Sequence, residues 1–570
     1  DMGTSDVQNC FTHNRMEDAR YPRRIIIYLD EFESGQVGGQ YREFTSVSYG
    51  TADASSEWYL TLKRNMLAMG FRVSIYHPCL FYRGVPNKGD FIMVSVATDD
   101  FIRLNQPTPA ARTSMQNFKD ELDSKWPMTH EDEVTEILGV KIVRMESGAL
   151  QATQPTELAK IETLFFPNGS VPEVLIPLYP SIQPDGNELE DPEHLSTPSS
   201  DYRSLLGSLQ YMRCTRIDIL DTLSILAERT NAPRLRDKHA LYWLAAYLLT
   251  SRLVPISFHP VNEEEGGVTA NGVLQWSLFS DCSWATRRKS FSSVGHMIVA
   301  GTLDTSIKRT TRPFTAPTLV KMRKEKGPPS DSASAGELGS SVSVIKAGTV
   351  LRGMSEELAG IPSSLIRMPV GHGGASPLLV QPASPLLTDN ASNVKALDSN
   401  TSKKPKGLRH WSRELNFARF HIEEGSIQLV AIPATEQRAN PLTKPLRAYK
   451  QHWFECEWLQ GTSVQLTSFQ ELAVRRSQSK HSHRHAVSVI MHHVGDLTNE
   501  VDDGDRFAFL LSAIVFKDAS FDSDEQLLYF HTWSNAHESV STASLRLKLQ
   551  EEREERVKQK KFHRSLVRFS

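Results

Sequence analysis

The stretch Phe91–Leu104, FIMVSVATDDFIRL, constrains this chain more than any other. Phe91–Ala97 is a nearly continuous apolar run of the length of a buried strand. Thr98-Asp99-Asp100 breaks it, and Phe101–Leu104 resumes as a second strand, so the segment predicts a β-hairpin with two adjacent carboxylates at its tip. Neighbouring carboxylates repel each other, and a divalent cation is their natural partner. A pair of such ions can clamp the attacking and leaving oxygens of a phosphoryl transfer. Asp-Asp also serves in turns through local hydrogen bonding alone, and the dipeptide by itself leaves both readings open.

The other features bound the class. At roughly 100–200 residues per domain, 570 residues predict about three or four domains. With 39% hydrophobic and 23% charged residues, wholesale disorder and fibrous chains are excluded. Lys and Arg number 64 against 67 Asp and Glu, a net charge of -3, so nucleic acid would be held by a local groove or by bound metal rather than by bulk charge. Cys10, Cys79, Cys214, Cys282 and Cys456 lie far apart with no C-x-x-C pair, which argues against a disulfide framework or structural zinc and fits a reducing compartment. The longest apolar run, Phe507–Phe516, is far short of the about 20 residues of a membrane span, so no membrane is expected as a partner. The N-terminus lacks a basic flank with an apolar core and does not read as a secretory signal. It begins with Asp rather than Met, as a piece of a longer product would.

Along the chain, Trp58, Leu62 and Met66 recur at helical spacing within Ser55–Ala68, and EILGVKIV (Glu136–Val143) reads as another strand. Asp185–Glu193, acidic and rich in turn formers, reads as a linker. Tyr202–Leu253 reads as a helical module, with stripes at Leu205/Leu209/Met212, Ile217–Arg229 and His239–Leu249. Leu274, Trp276 and Leu278 alternate with polar residues, as in a half-buried strand that ends at Asp281. Lys326–Ser343 and Gly371–Pro385 are rich in Gly, Pro and Ser and read as loops. The tail after Leu446 carries a His cluster (His481, His483, His485, His492, His493), read as a solvated segment, and a charged helix candidate, Leu545–Lys561, with i,i+4 pairs Glu552/Arg556 and Glu554/Lys558.

Taken in order, the motifs DVQNCFTHN (Asp6–Asn14), VSYGTADASSEWY (Val47–Tyr59), GFRVSIYHPCLFY (Gly70–Tyr82), FIMVSVATDDFI (Phe91–Ile102), EILGVKI (Glu136–Ile142) and STPSSDYRSLLGSLQYMRCTRIDI (Ser196–Ile219) resemble the reverse transcriptase of copia-type LTR retrotransposons. That family has D-V-K-T-A-F-L-N-G, S-L-Y-G-L-K-Q, Y-V-D-D, I-L-G-M-E-I and T-P-Y-R-S-L-V-G-S-L in the same succession. LFSDCSWATRRKSFSSVGHMIVAG (Leu278–Gly301), SASAGELGS (Ser332–Ser340), LLTDNASNVKAL (Leu386–Leu397) and EEGSIQLVAIPATEQRANPLTKPL (Glu423–Leu446) are similar to the RNase H domain that follows it in the Pol polyprotein. The matches span roughly residues 5–455.

The resemblance implies an α+β, multidomain fold. A partial reverse transcriptase palm/thumb region lacking fingers, its palm ferredoxin-like, would occupy 1–195, a helical connection 196–267, and an RNase H-like mixed α/β domain 268–446, with an unassigned tail over 447–570. It implies that Asp6, Asp99 and Asp100 hold Mg²⁺ (or Mn²⁺) for RNA-directed DNA synthesis. Asp281, Glu337 and Asp389 would hold metal around the scissile phosphate of the RNA strand, with Asn440 where the family has a fourth Asp, so that one ion binds more weakly. The implied partners are an RNA template, a DNA primer, an RNA–DNA hybrid, dNTPs and other polyprotein products, in an intracellular setting, cytoplasmic or nuclear.

The sequence also departs from the family. Ala97 and Thr98 stand for Tyr and Val, and Ala52-Asp53 for Lys-Gln, which brings a negative charge where phosphates are expected. Gly336 and Gly339 are expected to weaken the helix that presents Glu337. His410 reads as structural. These departures support a second reading, a non-catalytic nucleic-acid-binding protein or decayed retroelement remnant.

Overall fold

The computed structural model describes residues 1–8, 10–13, 26–29, 40–43, 54–85, 88–180, 182, 184, 199–260, 268–269, 273–302, 315–325, 330, 332–360, 382–398, 411–444, 456 and 459–461. Ala52-Asp53, the Asp185–Glu193 linker, His410, the tail His cluster and Leu545–Lys561 lie outside the described residues.

The first unit is an antiparallel six-stranded sheet with a two-stranded ribbon, β2 (Ile26–Leu29) and β3 (Gln40–Glu43), apart from it. Its strands are β1 (Met2–Val7), β4 (Arg72–Val73), β5 (Leu80–Arg83), β6 (Ile92–Ala97), β7 (Asp100–Asn105) and β8 (Met128–Glu131), in the order β4-β5-β6-β7-β1-β8. Helices α1 (Ala54–Ala68) and α2 (Pro109–Asp123) cover one face. The period-2 pattern of β6 sends Ile92, Val94 and Val96 into that core, where Trp58, Leu62 and Met66 of α1 meet Met115, Phe118 and Leu122 of α2. Thr108 caps α2 by accepting from the Ala111 amide at 3.2 Å, and Pro109 suits the first turn because its missing N–H would be unbonded there anyway. The opposite face, which carries Asp6 and Asp100, is only partly buried.

EILGVKIV is two strands rather than the single strand expected. β9 (Glu136–Ile137) and β10 (Val140–Arg144) pair across Leu138-Gly139, whose φ angles of 50° and 72° are those of a tight hairpin turn. With β11 (Leu150–Thr153) and β12 (Ile256–Phe258) they form a sheet ordered β12-β11-β10-β9.

The helical unit packs α3 (Pro155–Phe165), α4 (Ser199–Gln210) and α5 (Leu220–Ala227) around α6 (Leu235–Thr250). Helix α6 is buried on every side from Ala240 to Leu249, as befits a helix apolar all round. Phe165 meets Tyr242 edge-on at 4.9 Å, Tyr179 meets Trp243 at 5.4 Å, and the indole of Trp243 donates to Ile176 O. The packed unit therefore draws on residues from both sides of position 195, and Cys456 returns to it.

The last sheet contains β13 (Trp276–Arg287), β14 (Phe291–Ala300), β15 (Leu319–Lys324), β16 (Ser384–Thr388) and β17 (Ile427–Ala431) in the order β15-β14-β13-β16-β17. β13, β14 and β15 are antiparallel, whereas β16 and β17 run parallel to β13. Helices α7 (Ala333–Leu358), α8 (Ala391–Leu397) and α9 (Ser412–Glu423) cover one face, and the other packs on Ile217, Leu220 and Ile256. β13 does not end at Asp281 as the alternation suggests: it is buried on both faces through Ser283 and, after an irregularity in its pairing with β14, runs on to Arg287. The loop reading of Lys326–Ser343 fails from Ala333 onward: Ser332 caps α7 by accepting from the Ala335 amide, and α7 continues for 26 residues. At the end of Gly371–Pro385, Ser384 and Pro385 open β16.

Candidate active sites

Strand β1 lies beside β7 in the register that sets Asp6 opposite Asp100. Asp99 occupies the two-residue turn between β6 and β7, where Ala97 pairs with Asp100. Thr98, first in that turn, has a φ of 60°, a region that a β-branched residue rarely enters. Two contacts hold it there: the indole of Trp58 donates to Thr98 O at 2.6 Å, and the Val7 amide donates to Asp99 O at 3.1 Å. Strain maintained by its surroundings is common at functional turns. In the sequence Trp58 stands out only by its helical spacing with Leu62 and Met66, since a hydrogen bond across 40 residues leaves no local signal.

The three acids feel one another. Burial, then Asp99, then Asp6, push the Asp100 carboxyl up to about 7. Burial raises Asp6 against the opposing effect of the Val7 amide.

The second set of acids gathers on the last sheet. Asp281 lies in β13 opposite Gly295, Glu337 in the second turn of α7, and Asp389 immediately after β16. Gly336, expected to weaken α7, lets it seat closely: a Cβ there would stand 2.6 Å from Cys282 Sγ. Gly295 does the same for the 440–443 turn, where a Cβ would come within 2.8 Å of Leu442 and Thr443. Burial, Asp281 and Asp389 push the Glu337 carboxyl up to about 8, and its Oε2 is buried without a hydrogen-bond partner. Burial raises Asp281, against the lowering effect of Lys444 and Thr443.

Asn440 and its neighbours complete the site. Asn440 Nδ2 donates to Ala434 O at 2.8 Å, and Lys444 Nζ donates to Asn440 Oδ1 at 2.6 Å. Lys444 Nζ also stands 3.5 Å from Asp281 Oδ1, while the Thr443 hydroxyl donates to Asp281 Oδ2. Sequence reasoning quoted Thr443 and Lys444 within a motif but gave them no role.

Among the described residues, no three His, Cys, Asp or Glu side chains stand in ready metal-holding geometry. The donor chemistry nevertheless fits a divalent cation. Asp100 and Glu337 are carboxyls raised by burial and by neighbouring acids, and Glu337 keeps an unpartnered buried oxygen. Carboxylates with no cation between them protonate or turn apart.

No family model matches the chain. It is 23% identical over 453 residues to the retrovirus-related Pol polyprotein from transposon RE1 of Arabidopsis thaliana, covering 77% of this chain and 26% of that protein. It is 22% identical over 454 residues to the Pol polyprotein from transposon RE2 of the same plant, with the same coverage. To that from transposon TNT 1-94 of Nicotiana tabacum it is 23% identical over 259 residues, 43% of this chain and 18% of that protein. The chain spans about a quarter of the length of the curated relatives RE1 and RE2. Among solved structures, foamy viral protease-reverse transcriptase in complex with double-stranded DNA aligns with 76% of this chain and 56% of its own, at 10% identity and a TM-score of 0.37. Its complex with an RNA/DNA hybrid aligns with 76% and 44%, at 8% identity and the same TM-score. Over 77% of its length the chain is similar to the retrovirus-related Pol polyproteins of plant transposons.

Proposed function

We propose that this chain carries two metal-dependent phosphoryl-transfer sites, one for RNA-directed DNA synthesis and one for cleavage of RNA in an RNA–DNA hybrid. The observation that carries the reading is the convergence of acids from distant parts of the chain: Asp6 opposite Asp100, and Glu337 coupled to Asp281 and Asp389. The proposed units are a palm within 1–195, a helical connection over 196–267 and an RNase H-like domain over 268–446, with the role of 447–570 unassigned. Template, primer, hybrid and dNTPs are the proposed substrates.

In the palm, Asp6, Asp99 and Asp100 would hold the metal. In the RNase H-like unit Glu337 and Asp389 would do so, with Asp281 and Asn440 beside them. When bound, Mg²⁺ or Mn²⁺ supplies Lewis-acid stabilisation of the phosphoryl group and an activated oxygen nucleophile. The residues of this chain prepare for that. The Trp58 indole fixes the carbonyl of the turn, so Asp99 and Asp100 stay beside Asp6. Burial and the neighbouring acids push the Glu337 carboxyl up to about 8, so it would hold a proton near neutrality that a bound cation would displace. Burial of Asp281 and Glu337 excludes water and strengthens every electrostatic contact at the phosphate.

A second reading, a hybrid-binding descendant without catalysis, is favoured by one observation: Asn440 replaces the fourth acid and its oxygen is engaged by Lys444. Hybrid cleavage by the full chain in Mg²⁺ or Mn²⁺, with Glu337→Gln as control, separates the two. Cleavage lost in the control supports the enzyme, and binding without cleavage supports the descendant. Primer extension with Asp100→Asn as control tests the palm in the same way.

A further inference from the structure

The RNase H-like site divides into a filled half and an open half. In the filled half, Lys444 Nζ bridges Asn440 Oδ1 at 2.6 Å and Asp281 Oδ1 at 3.5 Å. The second oxygen of Asp281 accepts from Thr443. The Asn440 amide is fixed by its bond to Ala434 O, so its oxygen, its better metal donor, faces the ammonium. In the open half, Glu337 keeps a buried oxygen with no partner, and Asp389 is half-buried beside it.

Charge gives the same division. Three carboxylates, the neutral Asn440 and one ammonium leave a formal charge of −2, which one divalent ion balances. A fourth carboxylate without the ammonium would leave −4, the balance for two ions. A second divalent ion at Asp281 and Asn440 would meet the Lys444 charge at close range and would have to displace it.

We infer that Lys444 takes the charge role of a second cation at Asp281 and Asn440, so that this site loads one divalent ion, on Glu337 and Asp389, rather than two. The inference rests on the RNase H reading but concerns ion count, which is measurable without turnover. Lys444 is a positioning residue here, because it acts through Asp281 and Asn440.

The test is Mn²⁺ titration of the full chain by calorimetry and by electron paramagnetic resonance of free Mn²⁺. Ions held by the palm are present in every variant and cancel in differences. One ion fewer is expected for Glu337→Gln than for the unaltered chain, and one more for the Asn440→Asp/Lys444→Ala double variant. Lys444→Arg, which keeps the charge, should keep the unaltered count. Lys444 is half-exposed, and circular dichroism checks that each variant is folded. Two Glu337-dependent ions in the unaltered chain would overturn the inference, as would no gain in a folded double variant or no Glu337-dependent ion at all. Hybrid cleavage is assayed in parallel: one ion bound without cleavage leaves the ion count standing and sinks the enzymatic reading instead.

Discussion

Ser74 Oγ donates a 2.6 Å hydrogen bond to Glu357 Oε2, joining the loop after β4 to the last turn of α7 across 283 positions of sequence. The other oxygen of Glu357 accepts from the Ile75 amide at 3.1 Å and from the Tyr82 hydroxyl at 3.0 Å. One turn earlier the Tyr76 ring lies where a Cβ on Gly353 would be. The helix that presents Glu337 is thereby fastened to the sheet that presents Asp6 and Asp100.

Glu357→Ala removes three hydrogen bonds to one carboxylate. Bonds to a charged group contribute about 1.5–3 kcal/mol, so stability should fall by about that amount in urea unfolding. Gly353→Leu should add a clash with Tyr76. Both variants should spread a single calorimetric transition toward two, as the first and last sheets unfold more independently. An unchanged transition in both would show that the contact carries no coupling.

The β6–β7 turn should respond to relief of strain. Thr98→Gly suits a φ of 60° and should raise stability by about 1 kcal/mol, whereas Trp58→Phe loses the bond to Thr98 O and should cost about 1 kcal/mol. Denaturant midpoints check both. Primer extension should fall with Trp58→Phe if turn position matters to the chemistry.

The buried pair of Arg216 and Asp218 supports the helical unit. Arg216 Nε and Nη2 donate to the two Asp218 oxygens at 2.9 and 2.7 Å, Tyr247 donates to the same carboxylate, and Arg216 reaches Ser251 Oγ at 2.7 Å. Removing one partner leaves a buried charge, so Arg216→Met should cost about 3–5 kcal/mol. Arg216→Met/Asp218→Leu should recover most of that loss. Equal losses in the single and double variants would exclude the charge argument.

Glu337 sets a pH dependence with a definite sign. Its folded pKa of about 8 lies above its ordinary 4.5, so the folded chain holds a proton that the unfolded chain has released across that window. Without metal, the Glu337 contribution is present below about pH 4.5 and is lost as pH rises toward about 8. The melting temperature of Glu337→Gln should therefore rise relative to the unaltered chain between pH 5 and pH 8, in steps of about 1.4 kcal/mol per pH unit at most. Thermal melts in EDTA measure this, and added Mn²⁺ should reverse the trend for the unaltered chain alone. A difference that stays flat with pH would contradict it.

The sequence by itself determined the elements whose signals are local. The apolar run Phe91–Ala97, the helical stripes of Tyr202–Leu253 and the order of the motifs were legible because strand alternation, helical spacing and acidic turns are written in neighbouring residues. The same motifs marked Asp6, Asp99, Asp100, Asp281, Glu337, Asp389 and Asn440 as candidates. Only the tertiary structure decided what those residues touch. That Leu138-Gly139 turns a strand into a hairpin depends on pairing with β11, and that Gly336 seats a helix depends on Cys282 lying beneath it. The Trp58 bond to the turn, the Lys444 bridge over Asp281 and the Ser74–Glu357 contact join residues 40, 163 and 283 positions apart. Such contacts follow from how whole elements pack, and packing is set by the summed burial of many side chains rather than by any short stretch of sequence.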